Sequence, residues 1–532
     1  MKDTNMAEPA SIHMALADRL AQLIGADYVA RDEDTRRAMS EDVFSQGGVA
    51  GLVVAPANLE ELSQVLEAAH QAGAIIVPRG GGMSYTSGFV IEHAGAVVID
   101  MRRMDQILSV SAEDMLVTVQ AGATWASLQA ALTPLGLRTP FWGPLSGLSS
   151  TIGGGLSQLN AFFGAGIWGT TSESLTCLTV VLADGSILRT GSAGTKGGSP
   201  FFKHYGPDLA GLFCGDCGAL GIKAEITLRL IPAPANEAHL SFAMPDLAAT
   251  ARATAALARS NLASEVCAFD PNLAKIRMRR ASLLQDVKTL AAVIRAQKNV
   301  FEGVKQGAKM ALAGRGFMDD AGYTLHVITE GASAAQVEDA ARTLRDLLKS
   351  EGGREIENTI PKAMRAAPFT PLNNILGPDG ERWVPIHGIV TLSQGEACWQ
   401  ELDDLFTSYG QAFEDRGMTS GYLVTTISTN GFLIEPVFFW PDARYGIHET
   451  TLEPSYLAKV PKLPANPDNA ALVDEVRGKI LDIFERFGAT HFQIGRTYRY
   501  AQTREPVTLA LLKAIKAHLD PDNRMNPGVL GL

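Results

Sequence analysis

The chain has 532 residues, of which 46% are hydrophobic, and it carries a formal net charge of −11 at pH 7. A chain of this length buries more than one compact core, so we expect two domains. The acidic balance excludes a nucleic-acid-binding protein, because neutralising phosphates requires an excess of Lys and Arg.

The cysteines and the apolar runs indicate the cellular compartment of the protein. Five cysteines are an odd number without a regular spacing, which is typical of a reducing compartment. The first residues lack the apolar core of a signal peptide, and no run of about eighteen apolar residues could span a bilayer. We therefore expect a cytoplasmic protein without a transmembrane segment.

The first half of the chain alternates between strand and helix patterns. Residues 1–47 are expected to form an N-terminal arm with a short amphipathic helix at 14–20. After the arm, the patterns are typical of an α+β nucleotide-binding domain. Strands are predicted at 52–54, 74–77, 96–100, 116–119 and 178–183, and helices at 59–72 and from 124 onward.

The composition changes after the Pro-Ala-Pro-Ala stretch at 232–235. A turn at 463–467 precedes a predicted helix, a strand near Phe492 and a last helix. Between these two points, Ala- and Arg-rich helices are predicted at 247–260 and 336–350, and strands at 388–392 and 421–427.

An apolar run at 75–77 ends in a glycine-rich motif that reads Pro78, Arg79, Gly80, Gly81, Gly82, Met83 and Ser84. The apolar residues predict a buried strand. Glycines after a strand leave backbone N–H groups open to an anion such as a phosphate. A tight turn has the same pattern, so this motif alone leaves both interpretations open.

Two later segments repeat this composition. Residues 144–155 form a coil of small residues that ends in a second glycine cluster, and residues 206–230 combine small residues with an alternating apolar strand. With the closing stretch at 519–528, they resemble the FAD-binding domain of the vanillyl alcohol oxidase and p-cresol methylhydroxylase flavoprotein family. That family includes D-lactate and glycolate dehydrogenases and alkyl-dihydroxyacetone-phosphate synthase. The resemblance covers residues 53–532.

The resemblance implies a two-domain α+β flavoprotein. Residues 48–235 would form a p-cresol methylhydroxylase-type FAD-binding domain, and residues 236–465 an α+β cap that holds the substrate. Residues 466–532 would return to the FAD domain and the active site. The residues implied to contact FAD are Pro78, Arg79, Gly80, Gly81, Gly82, Met83, Ser84, Pro144, Thr151, Ile152, Gly153, Gly154, Gly155, Gly221, Ile222 and Asn526.

Several family features are replaced in this chain. Met83 and Leu433 stand where family branches carry the histidine that bonds covalently to the flavin, so we expect non-covalent FAD. The histidine-rich strand of metal-dependent relatives reads Ile427 to Ile434 here, and His491 replaces a metal-binding Glu. We therefore expect no catalytic metal.

The Cys214 and Cys217 pair has the spacing of a redox or zinc site. A zinc site needs two further ligands, and the sequence contains no second pair. We interpret the pair as a small-residue turn against the flavin.

The metal-free pattern and the cap sequence favour the phenol-oxidising branch. That branch binds phenolate with a Tyr-Arg pair, for which Phe492 and Gln493 stand here. A strand predicted from His491 would place Arg496 and Tyr498 on one face, suited to an oxyanion, and Arg499 on the other. A solvated edge strand is the alternative. The candidate catalytic residues are Arg496, Tyr498, Arg499, His387, His448 and His491.

Five further residues are candidates for contact with the substrate. Tyr85 follows the first glycine motif, and Gln493 belongs to the predicted C-terminal strand. In the aromatic block of the cap, alternation places Phe438 and Trp440 on one face and Phe439 on the other. A buried core is the alternative for that block. The substrate candidates are Tyr85, Phe432, Phe438, Trp440 and Gln493.

The resemblance implies hydride transfer from a substrate carbon to the flavin. A para-substituted phenol or aryl alcohol is the preferred substrate. A D-2-hydroxy acid held by arginines alone and a flavin-binding subunit without turnover are the alternatives. Molecular oxygen, a quinone or a cytochrome would reoxidise the flavin, and the family suggests a homodimer.

Overall fold

The computed structural model describes residues 9–280 and 322–532. The first half contains a four-stranded, a five-stranded and a two-stranded sheet, the last formed by Leu137–Arg138 and Ile231–Pro232, and its helices are short apart from the first and third. The helices are α1 (Pro9–Ile24), α2 (Glu33–Ala38), α3 (Leu59–Gln71), α4 (Trp125–Leu132), α5 (Ile152–Gln158), α6 (Ala165–Trp168) and α7 (Leu209–Leu212). The strands are β1 (Val29–Ala30), β2 (Leu52–Val54), β3 (Ile76–Arg79), β4 (Val97–Asp100), β5 (Ile107–Ser111), β6 (Leu116–Gln120), β7 (Leu137–Arg138), β8 (Leu175–Val181), β9 (Ile187–Arg189), β10 (Ile222–Arg229) and β11 (Ile231–Pro232).

The four-stranded sheet has the order β1-β2-β4-β3, in which β4 runs parallel to both β2 and β3. The five-stranded sheet has the order β5-β6-β10-β8-β9 and is antiparallel throughout. One hydrophobic core connects them. Helix α3 contributes Leu62, Val65 and Leu66 to that core from the apolar face its periodicity predicted.

The second half is an antiparallel sheet with helices packed on both faces. The order is β15-β12-β14-β13-β18-β19-β16, and β17 also pairs with β19. The strands are β12 (Asn236–Met244), β13 (Glu265–Phe269), β14 (Tyr323–Gly331), β15 (Arg354–Glu355), β16 (Glu381–Pro385), β17 (Gly388–Thr391), β18 (Thr419–Ile427) and β19 (Gly431–Pro441). The helices that lie between these strands in the sequence are α8 (Leu247–Ser260), α9 (Pro271–Arg280), α10 (Ala334–Ser350), α11 (Thr359–Ala366) and α12 (Gly395–Asp415).

Four helices follow the last strand, namely α13 (Gly446–Thr451), α14 (Pro454–Leu457), α15 (Pro467–Arg486) and α16 (Pro506–Leu519). Helix α15 packs on the cap through Val476, Ile480 and Phe484, so it belongs to the second half. The chain returns to the first half after this helix, where residues 524–526 contact β3. There, Ile76 of β3 donates to the Arg524 carbonyl at 2.8 Å and accepts from the Asn526 N–H at 2.8 Å.

The strand predicted near Phe492 and from His491 onward is wrong. Residues 491–500 form bends and turns. Gln493 and Gly495 have φ of 51° and 55°, a left-handed conformation that interrupts an extended strand. Arg496 and Tyr498 therefore do not share a strand face.

Candidate functional site

A cavity of about 440 Å³ lies between the two halves. One wall consists of glycine-rich backbone from the first half. The other consists of side chains from the antiparallel sheet and α9. The two walls differ in how they are built, and each is described in turn.

The first glycine motif follows directly from β3, which ends at Arg79. Residues 78–84 all line the cavity. Among the hydrogen bonds of the described residues, none is donated by the backbone N–H groups of 80–84. A Cβ on Gly81 would collide with the carbonyl oxygen of Ser149, so a side chain does not fit there. This arrangement suits an anionic group held by backbone N–H.

The second glycine cluster faces the first. Thr151 caps α5 by accepting from the Gly154 N–H at 3.2 Å, and a Cβ on Gly153 would lie 2.6 Å from that of Ala121. Such packing accepts only glycine. Pro144, Thr151 and the glycines at 153–155 line the cavity. Ile152 does not: its side chain points into the core.

A third segment completes this wall. Gly221, Ile222 and Lys223 line the cavity, and Lys223 Nζ forms a buried ion pair with Asp216 at 2.7 Å. Asn526 lies behind the lining, where its amide donates to the Gly88 and Cys217 carbonyls at 2.8 Å. The predicted cofactor residues thus come together along one wall, and only Ile152 and Asn526 lie behind it.

The opposite wall is formed by alternate residues of β19. Glu435, Val437 and Phe439 line the cavity, together with Leu423 of β18 and Trp383 of β16. None of these five residues was among the candidates. The alternation of β19 was visible in the sequence, but both faces of the strand are buried, so the pattern could not select the face.

The predicted substrate residues Phe432, Phe438 and Trp440 lie on the other face of β19. They belong to the core shared with the covering helices. Phe438, for example, contacts Phe406 of α12 with ring centroids 5.3 Å apart. The structure therefore places these three rings outside the cavity and puts Phe439 inside it.

Tyr85 and Gln493 meet in the cavity although 408 positions separate them. The Gln493 amide donates to the Tyr85 hydroxyl oxygen at 3.0 Å, and the Tyr85 ring meets Trp383 edge to face at 5.6 Å. Burial raises the pKa of Tyr85 well above its usual value. The hydroxyl therefore stays protonated and can donate a hydrogen bond to an oxygen in the cavity.

His387 lies behind this wall and does not line the cavity. Its Nε2 lies 2.7 Å from the Phe492 carbonyl oxygen, and its ring stacks on Phe492 with centroids 3.9 Å apart. A carbonyl partner requires the proton on Nε2. Burial lowers the pKa of His387 to about 3, so the ring is neutral and positions Phe492.

His491 also lies behind the wall. Its Nδ1 lies 2.8 Å from the His387 carbonyl oxygen, and its ring stacks on Tyr498 with centroids 4.1 Å apart. Burial lowers its pKa to about 4. Tyr498 accepts a hydrogen bond from the His387 N–H at 2.9 Å. The structure thus uses His491 and Tyr498 to hold the chain around His387.

The remaining catalytic candidates lie away from the cavity lining. Arg496 donates to the Ser87 and Pro527 carbonyls, both at 2.7 Å, and ties together three loops. Arg499 pairs at the surface with Asp482 at 2.6 Å. His448 is buried, where its Nδ1 accepts from the Tyr445 N–H at 3.0 Å and burial lowers its pKa to about 3.

The charges around the cavity are unevenly distributed. Among its lining residues in the described part of the chain, the cations are Arg79 and Lys223, both on the glycine-rich wall, and the anion is Glu435 on the cap wall. Arg79 is buried, which lowers its pKa to about 10. Its guanidinium carbon lies 5.1 Å from the centroid of the Phe89 ring. The cap wall thus combines aromatic rings with one carboxylate.

Cysteines and potential metal ligands add no further site. None of the five cysteines, which all lie within the described ranges, forms a disulfide bond, and burial raises the pKa of Cys217, which lines the cavity, to about 12. Within residues 9–280 and 322–532, no group of three or more His, Cys, Asp or Glu side chains is arranged to hold a metal ion. In the same ranges, no helix is long and apolar enough to cross a membrane.

Two segments match known families. Residues 50–191 match the FAD binding domain, and residues 469–530 match the C-terminal domain of FAD linked oxidases. The chain is 32% identical over 224 residues to the glycolate oxidase subunit GlcD of Bacillus subtilis, covering 42% of this chain and 46% of that protein. It is 34% identical over 212 residues to a probable mitochondrial D-lactate dehydrogenase of Danio rerio, covering 38% of each. The chain spans less than half the length of these curated relatives.

Solved structures share the whole fold at low identity. A p-cresol methylhydroxylase with substrate bound superposes with a TM-score of 0.73 at 18% identity, covering 99% of this chain and 98% of that one. A 4-ethylphenol oxidase from Gulosibacter chungangensis in complex with isoeugenol gives 0.68 at 15% identity, with coverage of 99% and 98%. The chain therefore has a p-cresol methylhydroxylase-like fold with an FAD-binding domain, as predicted, and FAD is its cofactor.

Proposed function

We propose that this chain is an FAD-dependent oxidoreductase that oxidises an uncharged aromatic alcohol or a para-substituted phenol. The observation that carries the proposal is the composition of the cap wall. Trp383, Phe439 and Phe492 supply aromatic surface, while Tyr85 and Glu435 supply the polar groups. An apolar pocket with a few convergent polar groups fits an aromatic ring that bears a hydroxyl.

The residues of the FAD-binding wall fit the cofactor. The unpaired backbone N–H groups of 80–84 suit the pyrophosphate of FAD. The glycines at 80–82 and 153–155 have no side chains that would keep the cofactor away from the backbone. Bound FAD supplies a two-electron acceptor for hydride. No histidine lines the cavity within the described ranges, which supports non-covalent binding.

Glu435 is the proposed proton acceptor. It lies on the cap wall with Val437 and Phe439, and its charge acts on the buried Tyr85 hydroxyl. When the substrate carbon loses hydride, its hydroxyl must lose a proton to give the carbonyl or quinone methide product. The Glu435 carboxylate takes that proton, while Tyr85 donates a hydrogen bond to the substrate oxygen.

The distribution of charge argues against a carboxylate substrate. A 2-hydroxy acid needs a cation near the reacting carbon, because burying an unpaired carboxylate is costly. Arg79 and Lys223 lie on the glycine-rich wall, and Lys223 is already paired with Asp216. Glu435 on the cap wall would repel the carboxylate.

A D-2-hydroxy acid remains the second candidate because of the sequence relatives. The matching proteins are a glycolate oxidase subunit and D-lactate dehydrogenases. In this alternative, Arg79 would hold the substrate carboxylate. The electron acceptor, whether oxygen, a quinone or a cytochrome, and the homodimer stay predictions.

An anaerobic titration of the purified yellow protein separates these functions. Flavin absorbance is followed while vanillyl alcohol, 4-ethylphenol, eugenol, D-lactate or D-2-hydroxyglutarate is added. Bleaching by a phenol or aryl alcohol supports the proposal, and bleaching by a hydroxy acid alone replaces it with the second candidate. An unchanged spectrum with all five compounds favours a flavin-binding subunit without turnover.

A further inference from the structure

A surface loop of the first half holds three aromatic side chains in solvent. This loop, residues 190–208, connects β9 to α7 and is called the aromatic loop below. Phe201, Phe202 and Tyr205 are 61%, 50% and 68% exposed. Phe201 and Phe202 are the only exposed phenylalanines in the ranges that the structure describes. Exposed rings concentrated in one place mark a contact surface.

The backbone beneath the two phenylalanines is anchored. The buried Ser192 hydroxyl accepts hydrogen bonds from the N–H groups of Phe201 at 3.1 Å and Phe202 at 3.0 Å, and it donates to the Ser199 carbonyl. The Ser192 N–H in turn donates to the Phe202 carbonyl at 2.9 Å. The two rings, with centroids 6.3 Å apart, are therefore held outward by a folded loop.

Tyr205 sits on an adjoining turn that is also fixed. Lys203 and Asp208 close the turn with an ion pair at 3.4 Å, and Gly206 has a φ of 87°. Asp208 also caps α7 by accepting from the Gly211 N–H at 2.8 Å. Because Asp208 is engaged twice, its negative charge is compensated within the turn.

The charge of this region is opposite to that of the whole chain. Residues 189–209 contain Arg189, Lys196 and Lys203 but only one acidic residue, Asp208, in a chain of net charge −11. Arg189 and Lys196 are exposed. A local excess of positive charge beside exposed rings suits a negatively charged partner.

We propose that the aromatic loop docks the protein onto an anionic lipid surface. Tyr and Phe rings insert at headgroup level, and nearby Lys and Arg side chains bind lipid phosphates. Separate protruding rings suit a deformable lipid surface better than a protein partner, whose docking needs about 800 Å² of complementary surface. The docking is peripheral and independent of the substrate.

Vesicle flotation of the holoprotein tests this proposal. Phosphatidylcholine vesicles with and without phosphatidylglycerol are compared at low salt. We expect flotation with the anionic vesicles and a loss of at least about tenfold in the bound fraction for Phe201→Ser/Phe202→Ser. Lys196→Glu should weaken flotation, and an ionic strength of about 1 M should do the same because it screens the charges.

The matched control removes apolar side chains that are equally exposed elsewhere. Val507 and Leu511 on α16 are 82% and 64% exposed, and Val507→Ser/Leu511→Ser should float like the parent protein. The proposal is overturned if the parent does not float, if Phe201→Ser/Phe202→Ser floats equally well, or if both double variants lose flotation alike. It is also overturned if the Phe variant converts a dimer to a monomer in sedimentation while lipid binding is absent throughout, since the loop then joins two copies of the chain.

Discussion

The two walls of the cavity are built from different parts of the polypeptide. The wall proposed for FAD consists of backbone, in which Gly81 and Gly153 are packed too closely for side chains. The cap wall consists of alternate side chains of β19, among them Glu435 and Phe439. The shape of a wall built from backbone depends on which residues are glycine. The composition of a wall built from side chains depends on which face of a strand points into the cavity. A local motif therefore predicts the first wall better than the second.

The largest effect is expected on the FAD wall, from Gly81→Ala. The new Cβ would collide with the Ser149 carbonyl oxygen, so the two glycine loops must move apart. We expect the variant to purify with most of its flavin lost, as measured by flavin absorbance per protein. Gly478→Ala is the control, because nothing lies within 4 Å of a Cβ there in α15. Normal flavin content in Gly81→Ala would contradict the close-packed wall.

On the cap wall, Glu435→Gln keeps the shape of the side chain and removes its charge. We expect flavin reduction by the substrate to slow by about 10²- to 10⁴-fold, the usual contribution of a general base. Stopped-flow reduction of the flavin by the substrate measures the effect. Glu435→Asp keeps a carboxylate and should retain part of the rate. A Glu435→Gln variant that reduces as fast as the parent would remove Glu435 from the mechanism.

Substitutions at two neighbouring residues of β19 test the two faces of the strand separately. Phe438→Ala opens a hole in the core beside Phe406 and should cost about 3–5 kcal/mol in free energy of unfolding. Phe439→Ala should cost less, because that ring already borders the cavity. Only Phe439→Ala should raise KM for the substrate. Equal KM values for the two variants would show that the substrate does not contact this face.

The smallest effect is the pH dependence of stability from His387. Its pKa is about 3 in the folded state, whereas an unfolded histidine titrates near 6.5. Between these values the unfolded chain binds a proton that the folded chain does not. Stability should therefore fall as pH decreases below about 6.5, by about 1.4 kcal/mol per pH unit from this group.

Chemical denaturation between neutral and acidic pH measures that slope. His387→Gln should make it shallower by the contribution of one proton, since an amide does not titrate in this range. An unchanged slope in His387→Gln would mean that His387 is protonated to the same extent in both states.

Much of the first half was predictable because its signals are local. Hydrophobic periodicity predicted α3 and strand β3, and the family resemblance of the glycine motifs predicted a cofactor site at glycines that line the cavity. Helix α8 in the cap was predicted at the bounds observed, Leu247–Ser260. These features depend on residues a few positions apart, so they can be recognised in the sequence alone.

The substrate end was decided by tertiary structure. No local pattern shows which way Glu435 faces, because both faces of β19 are buried. The hydrogen bond between Tyr85 and Gln493 joins residues 408 positions apart. His387 looked like a candidate base in the sequence, yet its contact with the Phe492 carbonyl and its burial keep it neutral behind the wall.

The sequence by itself determined the FAD-binding fold and its cofactor, because its glycine motifs and closing stretch resemble those of a known FAD-binding domain, while strand and helix periodicity reflects contacts made within short segments. Only the tertiary structure decided which side chains meet at the substrate end. That choice depends on the facing of β19 and on the left-handed turn at Gln493 and Gly495, which places distant residues side by side. Such contacts arise when separate segments pack together, and no local pattern encodes them.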